Sequence, residues 1–302
     1  MSYDLYFRTS GGTPFTREQF SEYFTKRLNY QVTNNQAWYG NQDTGVYFLF
    51  EYQSDPPDPA EPEAVHAPVM FNLNYYRPHI FGLEAEPEVA AFIRHFNLLI
   101  EDTQTQGMGS GEYSRGGFLR GWNHGNEVGY RAVLTSEKAP SEVYTLPTRA
   151  IEGYWRWNIT RNAFQRELGD GVFVPRVMFA ITSGCSQVKS FAAWTDAIPI
   201  MLPKVDLIVA PRAELAPTHW FRKKQDMALF QWGDIEPVLK DFPLEERSLA
   251  YYRLDYRTAP PSVIRLFKAA QPISEKPTGV AIDSILNAEL VQKHLPGEKP
   301  RP

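Results

Sequence analysis

Hydrophobic and polar residues alternate at the start of the chain, and this alternation predicts a β-strand with one buried face. Tyr3, Leu5 and Phe7 occupy every second position, which is the period of a strand. A helix is expected next, because Thr16 and Gln19 have the spacing of a capping box. Three further strand-like runs, rich in aromatic and β-branched residues, cover residues 31–39, 46–52 and 69–75.

A second helix is predicted over residues 89–100, where Val89, Phe92 and Phe96 recur on one face. The predicted order of elements in this part of the chain is therefore β-α-β-β-β-α. Such an order favours an antiparallel sheet with one face covered by the two helices. We therefore expect an N-terminal α+β unit over residues 1–106.

The pattern over residues 127–302 predicts a second, mixed α+β unit. A helix is expected over residues 154–168, because Gly169 is a common helix-ending residue. Runs rich in strand-forming residues follow at 172–182, 188–202, 205–210, 227–232 and 249–256. Short helical segments are expected at 234–242 and 261–270, and in the C-terminal segment at 280–295.

Glycine is concentrated between these two units, in GMGSGEYSRGG and GWNHG. A phosphate-binding loop of this kind needs a preceding strand and a following helix. The pattern instead predicts a helix before the glycines and no helix after them, so residues 107–126 are expected to form a glycine-rich connection. Groups that could support catalysis in or beside this connection are Ser110, Glu112, Arg115, Arg120, His124 and Glu127.

Composition and charge narrow the range of partners. The chain has 302 residues, with 31 basic and 35 acidic side chains and a formal charge of -4. A phosphate-binding surface needs a concentration of Lys and Arg, and the sequence shows no such block, so nucleic acid is not expected as a partner. Charged residues and prolines interrupt the most apolar window, residues 191–210, and no secretory signal pattern is seen. We therefore expect a cytoplasmic protein that does not engage a membrane.

Neither a metal site nor a cofactor site is predicted. The six histidines are scattered, without the local pairs that bind a metal from one element. The one cysteine, Cys185, lies among Ser and Gly residues that are typical of a tight turn, where no neighbouring group activates a thiol. The sequence shows no complete catalytic motif, so we expect binding and not catalysis.

Two segments are expected to bind a partner. In NNQAWYGNQDTG, aromatic and amide groups lie beside a turn, which is the composition of an interface anchor with a polar rim, although a Trp packed under a neighbouring helix is the alternative. The acidic loop SDPPDPAEPE is either a solubilising insert or a negative arm for a basic partner. The candidate partner-binding residues are Trp38, Tyr39, Asn41, Gln42, Asp43, Asp55, Asp58, Glu61 and Glu63.

Five short motifs resemble those of a family of bacterial proteins. They are YDLYF at 3–7, DTGVYF at 43–48, WRWN at 155–158, FVP at 173–175 and LPKVD at 202–206. Over most of its length the chain is similar to proteins encoded beside polymorphic or contact-delivered toxins, which act as immunity proteins. The resemblance implies a protein that binds a cognate toxin and blocks its active site, and it implies no catalytic residues.

Two other functions compete with this interpretation. One is a hydrolase for a small polar ligand, using His124 with Arg115, Arg120 or Glu127 in the glycine-rich region. A large polar pocket with convergent titratable groups at that region favours the hydrolase. The other is a structural interaction module in a larger assembly.

Overall fold

The computed structural model describes residues 1–9, 16–53, 68–182, 185–219, 222–223 and 225–295. The chain divides into two compact units, which we call unit 1 and unit 2. Unit 1 is Met1–Val143 with Ile282–Pro302, and unit 2 is Tyr144–Ala281. Unit 1 combines helices with an antiparallel sheet near the N-terminus, so the α+β class expected from the sequence is confirmed.

Seven described strands form the sheet of unit 1. Their bounds are β1 Ser2–Thr9, β2 Tyr30–Val32, β3 Gln36–Gly40, β4 Tyr47–Tyr52, β5 Val69–Asn74, β6 Leu98–Asp102 and β7 Gly109–Gly111. The order across the sheet is β2-β3-β4-β5-β1-β6-β7, and each neighbouring pair is antiparallel. The N-terminal strand β1 therefore lies inside the sheet, between β5 and β6.

Three helices of unit 1 pack against one face of this sheet. They are α1 Arg17–Thr25, α2 Ile80–Phe96 and α3 Arg115–Leu134. The predicted capping box begins α1, because the Thr16 side chain accepts the Gln19 amide and the Gln19 side chain accepts the Thr16 amide.

Aromatic rings fill the space between the three helices and the sheet. Phe92 of α2 lies 5.3 Å from Phe7 of β1 and 5.0 Å from Phe50 of β4, measured between ring centroids. Phe118 of α3 packs edge-on against Tyr3 at 5.2 Å. The strand residues among them, Tyr3, Phe7 and Phe50, are buried and lie on the same face of the sheet. The core of unit 1 therefore lies between this face and the helices.

Two predicted elements of unit 1 are each divided in the structure. Residues 31–39 form β2 and β3, joined by a turn in which the Thr33 amide donates to the Gln36 carbonyl. The helix predicted at 89–100 ends at Phe96, because Asn97 adopts a left-handed conformation (φ 51°) and caps it. Leu98–Asp102 then runs as β6.

The glycine-rich region differs most from the sequence prediction. Residues 107–126 are not a connection between units: they contain β7 and the first twelve of the 20 residues of α3, and unit 1 continues to Val143. Ser114 caps α3, because its hydroxyl oxygen accepts the Gly117 amide at 3.1 Å. The boundary expected at 107–126 is therefore replaced by one at Val143.

The glycines of α3 allow tyrosine rings to approach the helix backbone. Gly121, Gly125 and Gly129 are four residues apart and share one helix face. A Cβ atom on Gly121 would lie 2.8 Å from the Tyr3 hydroxyl, and one on Gly125 would lie 2.0 Å from the Tyr75 hydroxyl. The glycine spacing is therefore a packing feature of a helix.

We expect Gly125→Ala to destabilise unit 1 by about 2 kcal/mol, because overpacking against the buried Tyr75 ring exceeds the gain in helix propensity. Gly116→Ala, on an exposed position of the same helix, is the matched control and is expected to stabilise by about 0.5 kcal/mol. Hydrogen exchange of the α3 backbone amides, followed as a function of urea concentration, measures the stability change caused by each substitution. Equal effects of the two substitutions would contradict the packing role.

Unit 2 is a mixed α+β unit. Its helices are α4 Thr148–Leu168, α5 Trp232–Leu239 and α6 Pro261–Ala269. Its described strands are β8 Tyr144–Leu146, β9 Met178–Thr182, β10 Cys185–Ala193, β11 Ile200–Pro203, β12 Leu207–Arg212, β13 Thr218–His219, β14 Arg222–Lys223, β15 Asp226–Gln231, β16 Leu244–Glu246, β17 Ala250–Leu254 and β18 Thr278–Gly279.

Ten described strands of unit 2, β9 to β18, form a five-stranded sheet, a three-stranded sheet and a small hairpin. The five-stranded order is β15-β12-β10-β9-β18, in which β10 and β12 are parallel and the other pairs are antiparallel. The three-stranded order is β11-β17-β16, and β13 pairs with β14. The run predicted at 188–202 is broken between β10 and β11, where Asp196 and Ala197 have positive φ angles.

The chain returns to unit 1 at its C-terminal end. A short 3-10 turn at Ile282–Ser284 leads to β19 Ile285–Asn287 and to α7 Ala288–His294. Leu286 and Val291 are buried against Tyr130 and Leu134 of α3. The C-terminal segment therefore belongs to unit 1, which corrects the expectation that it is part of the second unit over residues 127–302.

Candidate functional site

The candidate site is the face of the unit 1 sheet opposite to α1, α2 and α3, which we call the open sheet face. Side chains at alternate strand positions form it, and they are half-buried or exposed where those of the other face are buried. Its apolar and aromatic members are Tyr6, Trp38, Tyr47, Leu49, Met70 and Leu99. Its other members are Asp4, Arg8, Gln36, Glu51, Asn72 and Glu101.

The strand register brings the apolar members of this face together. Trp38 of β3 lies opposite Leu49 of β4, and Met70 of β5 lies opposite Tyr6 of β1. Cross-strand neighbours on one face have Cβ atoms about 4.5–5.5 Å apart, so each of these pairs is in contact range. Between β4 and β5, Leu49 lies opposite Asn72 and Met70 lies opposite Glu51, so the apolar band runs diagonally from β3 to β1.

Polar side chains of the open sheet face are bound to one another. The Asn72 amide donates to Asp4 at 2.6 Å, and the Gln36 amide donates to Glu51 at 3.1 Å. Arg8 forms an ion pair with Glu101 at 3.3 Å. These pairs fix the polar groups in place around the apolar band.

Trp38 is the most exposed large hydrophobic residue on the open sheet face, at 42%. Its ring is stacked on Tyr47, with centroids 5.7 Å apart and an interplanar angle of 13°. The Tyr47 hydroxyl accepts a hydrogen bond from Arg77 and donates one to Asp283, and burial raises the pKa of this phenol. Trp38 is therefore held in one orientation while much of its surface is accessible.

Two of the predicted partner-binding residues point to the opposite side of the sheet. Tyr39 and Asn41 are buried, and both donate to Oε1 of Glu84 in α2 at 2.8 Å. The Thr44 hydroxyl donates to the same oxygen at 2.9 Å. This corrects the expectation that Tyr39 and Asn41 are displayed: they attach the β3–β4 turn to α2.

Glu84 lies within the core, with 2% of its surface exposed. Burial is the largest cause of a raised pKa for Tyr39, and the Glu84 carboxylate adds to it, so the phenol stays protonated and donates. A buried carboxylate with three donors is satisfied by hydrogen bonds. The role of this group is structural.

The remaining predicted partner-binding residues lie in the β3–β4 turn and in the acidic loop. Gln42 is exposed in the β3–β4 turn, and Asp43 is half-buried, with its amide bound by the Asn41 side chain. The acidic loop residues Asp55, Asp58, Glu61 and Glu63 lie outside the described residues, so their role in binding stays a prediction.

Each of the groups proposed for a hydrolase is exposed or engaged in another contact. Arg115 pairs with Glu86, whereas Glu127 pairs with Lys293 of α7. Arg120 and His124 are exposed on α3. Within the described ranges, no group of three or more His, Cys, Asp or Glu side chains is arranged to bind a metal ion.

Three carboxylates of α2 bind tyrosines, and none of the three was predicted as a functional residue from the sequence. Glu84 binds Tyr39, Glu86 accepts from Tyr113 at 2.7 Å, and Glu88 accepts from Tyr30 at 3.1 Å. The sequence signal is GLEAEPEVAAF, in which three acidic residues interrupt an apolar helix. Carboxylates that are buried with such a helix need hydrogen-bond donors, which tyrosine hydroxyls can supply.

Comparisons with known protein families, with curated proteins and with solved structures gave no match for this chain. In the part of the chain that the structure describes, the helices are too short or too polar to cross a bilayer. The function is therefore argued from the open sheet face itself.

Proposed function

We propose that this protein is a cytoplasmic immunity-type binding protein that neutralises a cognate bacterial toxin by covering the active site of the toxin. The open sheet face is the proposed binding surface, with Trp38 as its anchor. The observation that carries the proposal is the exposed Trp38 ring, which is oriented by Tyr47 and lies beside an apolar band.

The form of Trp38 supports its role as an anchor. Trp is enriched among the residues that dominate interface energetics, because one rigid ring removes much apolar surface from water. The stack on Tyr47 fixes this ring before binding, so less conformational entropy is lost in the complex. An exposed but pre-oriented Trp is therefore suited to a binding surface.

The charge of the open sheet face favours a basic partner. Asp4, Glu51 and Glu101 supply three carboxylates, against the one guanidinium of Arg8. Complementary charge accelerates association and excludes partners of the wrong sign. A toxin with a basic cleft, as expected for one that binds an anionic substrate, fits this face.

Trp38→Ala is expected to weaken toxin binding by about 2 kcal/mol, or about thirtyfold in Kd, while thermal stability changes little. The proposal requires a toxin domain encoded beside this gene, and calorimetry with that purified domain measures the affinity. Leu28→Ala is the matched control, because Leu28 is 88% exposed and lies outside the sheet strands.

Protection of cells that express the toxin domain provides a second measurement. Loss of protection with Trp38→Ala, but not with Leu28→Ala, is expected. A large fall in melting temperature with unchanged affinity would mean that Trp38 is a structural residue and that the toxin binds elsewhere.

A further inference from the structure

Unit 2 contains a groove that the proposed toxin binding does not use. One end is a depression of about 510 Å³ bordered by Lys189 of β10, Lys204 and Trp232. The other end is a depression of about 680 Å³ bordered by Arg149 and other residues of α4. Tyr154, Leu249 and Ala250 line both depressions, so the two are continuous, and we call them the basic groove.

Basic side chains outnumber acidic ones in the basic groove, although the whole chain has a charge of -4. The basic side chains are Arg149, Arg156, Lys189, Lys204 and Arg247. The acidic side chains are Glu152, Asp206 and Glu246. Five positive and three negative groups give the lining a net charge of +2, which attracts an anion.

Three of the five basic side chains are available to a ligand. Arg156 is neutralised by Glu152 at 2.6 Å, and Arg247 is paired with Glu167 of α4 at 2.8 Å. Among the described residues, no ion pair or side-chain hydrogen bond engages Arg149, Lys189 or Lys204. Unpaired lysines bind phosphate groups as point charges.

A hydrogen-bonded pair holds the two lysine-bearing segments together. The Asp206 carboxylate accepts from the amide and the hydroxyl of Ser190, at 2.8 and 2.7 Å, and the Asp206 amide donates to the Ser190 hydroxyl oxygen at 3.0 Å. Lys189 precedes Ser190 in sequence, and Lys204 lies two positions before Asp206. The pair therefore holds the two lysine-bearing segments at one depression, and its hydrogen bonds engage the carboxylate that would otherwise face an anion without a partner.

Aromatic side chains line the same depression. Tyr154 and Trp232 both border it, and the Tyr154 hydroxyl is hydrogen-bonded to Ser190 at 3.0 Å. Small-molecule sites commonly combine apolar walls with a few placed polar groups, in cavities of about 300–1,000 Å³. Each depression of the basic groove, at about 510 and about 680 Å³, lies within this size range, and the lining has this composition.

We propose that the basic groove binds a polyphosphate-bearing small molecule, with its phosphate groups held by Lys189 and Lys204. Arg149 extends the positive surface along the groove. The organic part of such a molecule lies against Tyr154 and Trp232. This site is independent of the open sheet face, and its occupation does not require a toxin.

Calorimetric titration of the full-length protein with inorganic tripolyphosphate and with ATP tests the proposal. Saturable binding at one site per chain is expected for both, and tighter binding of ATP indicates that the aromatic walls contact the organic part. The double substitution Lys189→Gln with Lys204→Gln is expected to weaken binding of both probes at least about tenfold.

The matched control is Lys240→Gln with Lys268→Gln, which removes the same charge from exposed positions outside the groove. It is expected to leave affinity nearly unchanged. Equal losses in both double variants, or no saturable binding by the native protein, would overturn the proposal. Tighter binding of a polyglutamate peptide than of tripolyphosphate would also overturn it, because the groove would then serve an acidic protein segment. Lys204→Gln alone, at an exposed position, provides the test if the double variant does not fold.

Discussion

Glu84→Ala is expected to cost unit 1 about 3 kcal/mol or more of unfolding free energy. The substitution removes the acceptor of Tyr39, Asn41 and Thr44, all of which are buried. A buried donor without an acceptor has lost its hydrogen bonds to water without forming any in the protein, which costs folding free energy. The substitution leaves three donors in this state. The cavity left by the side chain adds to the loss.

Glu84→Gln is the matched control for this prediction. The glutamine side chain keeps a carbonyl oxygen in place of Oε1, so the three donors retain an acceptor, and a smaller loss is expected. Because the chain has two compact units, a single unfolding midpoint does not isolate unit 1. Hydrogen exchange of β3, β4 and α2 as a function of urea measures the local stability. A loss below about 1 kcal/mol with Glu84→Ala would contradict this role of the carboxylate.

The same substitution separates the structural residues of the turn from Trp38, the proposed binding residue. Tyr39 and Asn41 fix the position of the β3–β4 turn, and Trp38 precedes Tyr39 in β3. Glu84→Ala is therefore expected to lower the stability of unit 1, and to weaken the proposed toxin binding only to the extent that β3 becomes disordered. Trp38→Ala is expected to do the reverse, because its side chain faces the open side of the sheet.

Asp226→Ala is expected to destabilise unit 2 by about 3–5 kcal/mol, because it leaves the Arg212 guanidinium buried without its counter-charge. The Arg212 side chain is fully buried and forms two hydrogen bonds with Asp226, at 2.7 and 2.8 Å. It also donates to the carbonyl oxygens of Phe267 and Ala270 at the end of α6. Arg212 therefore joins β12, β15 and α6.

The double variant Asp226→Ala with Arg212→Met is the control for the buried charge. Removing both charges avoids an unpaired guanidinium, so the double variant is expected to be more stable than Asp226→Ala alone. Denaturation followed by hydrogen exchange in β12, β15 and α6 measures each variant. A double variant that is less stable than the single one would show that the charge is not the source of the loss.

The sequence by itself determined those features whose signals lie within a few residues of one another. The alternation of Tyr3, Leu5 and Phe7 predicted β1, and the Thr16 and Gln19 pair predicted the start of α1. The first signal is the two-residue period of a strand, and the second is the cap at the start of a helix. Both involve neighbours in sequence, so neither depends on what the strand or helix packs against. The α+β class followed from the order of such elements.

Only the tertiary structure decided the role of residues whose partners are distant in sequence. Tyr39 and Asn41 have the composition of a binding turn, but Glu84, more than forty positions away, turns them into the core. The glycines of α3 predicted a connection, because glycine lowers helix propensity, but Tyr3 and Tyr75 fill the space that their missing side chains leave. Lys189 and Lys204 border one depression because β10 pairs with β12 and Ser190 binds Asp206. Long-range contacts outweigh local preference at these positions, because burial and hydrogen bonding contribute more free energy than the propensity of any single residue.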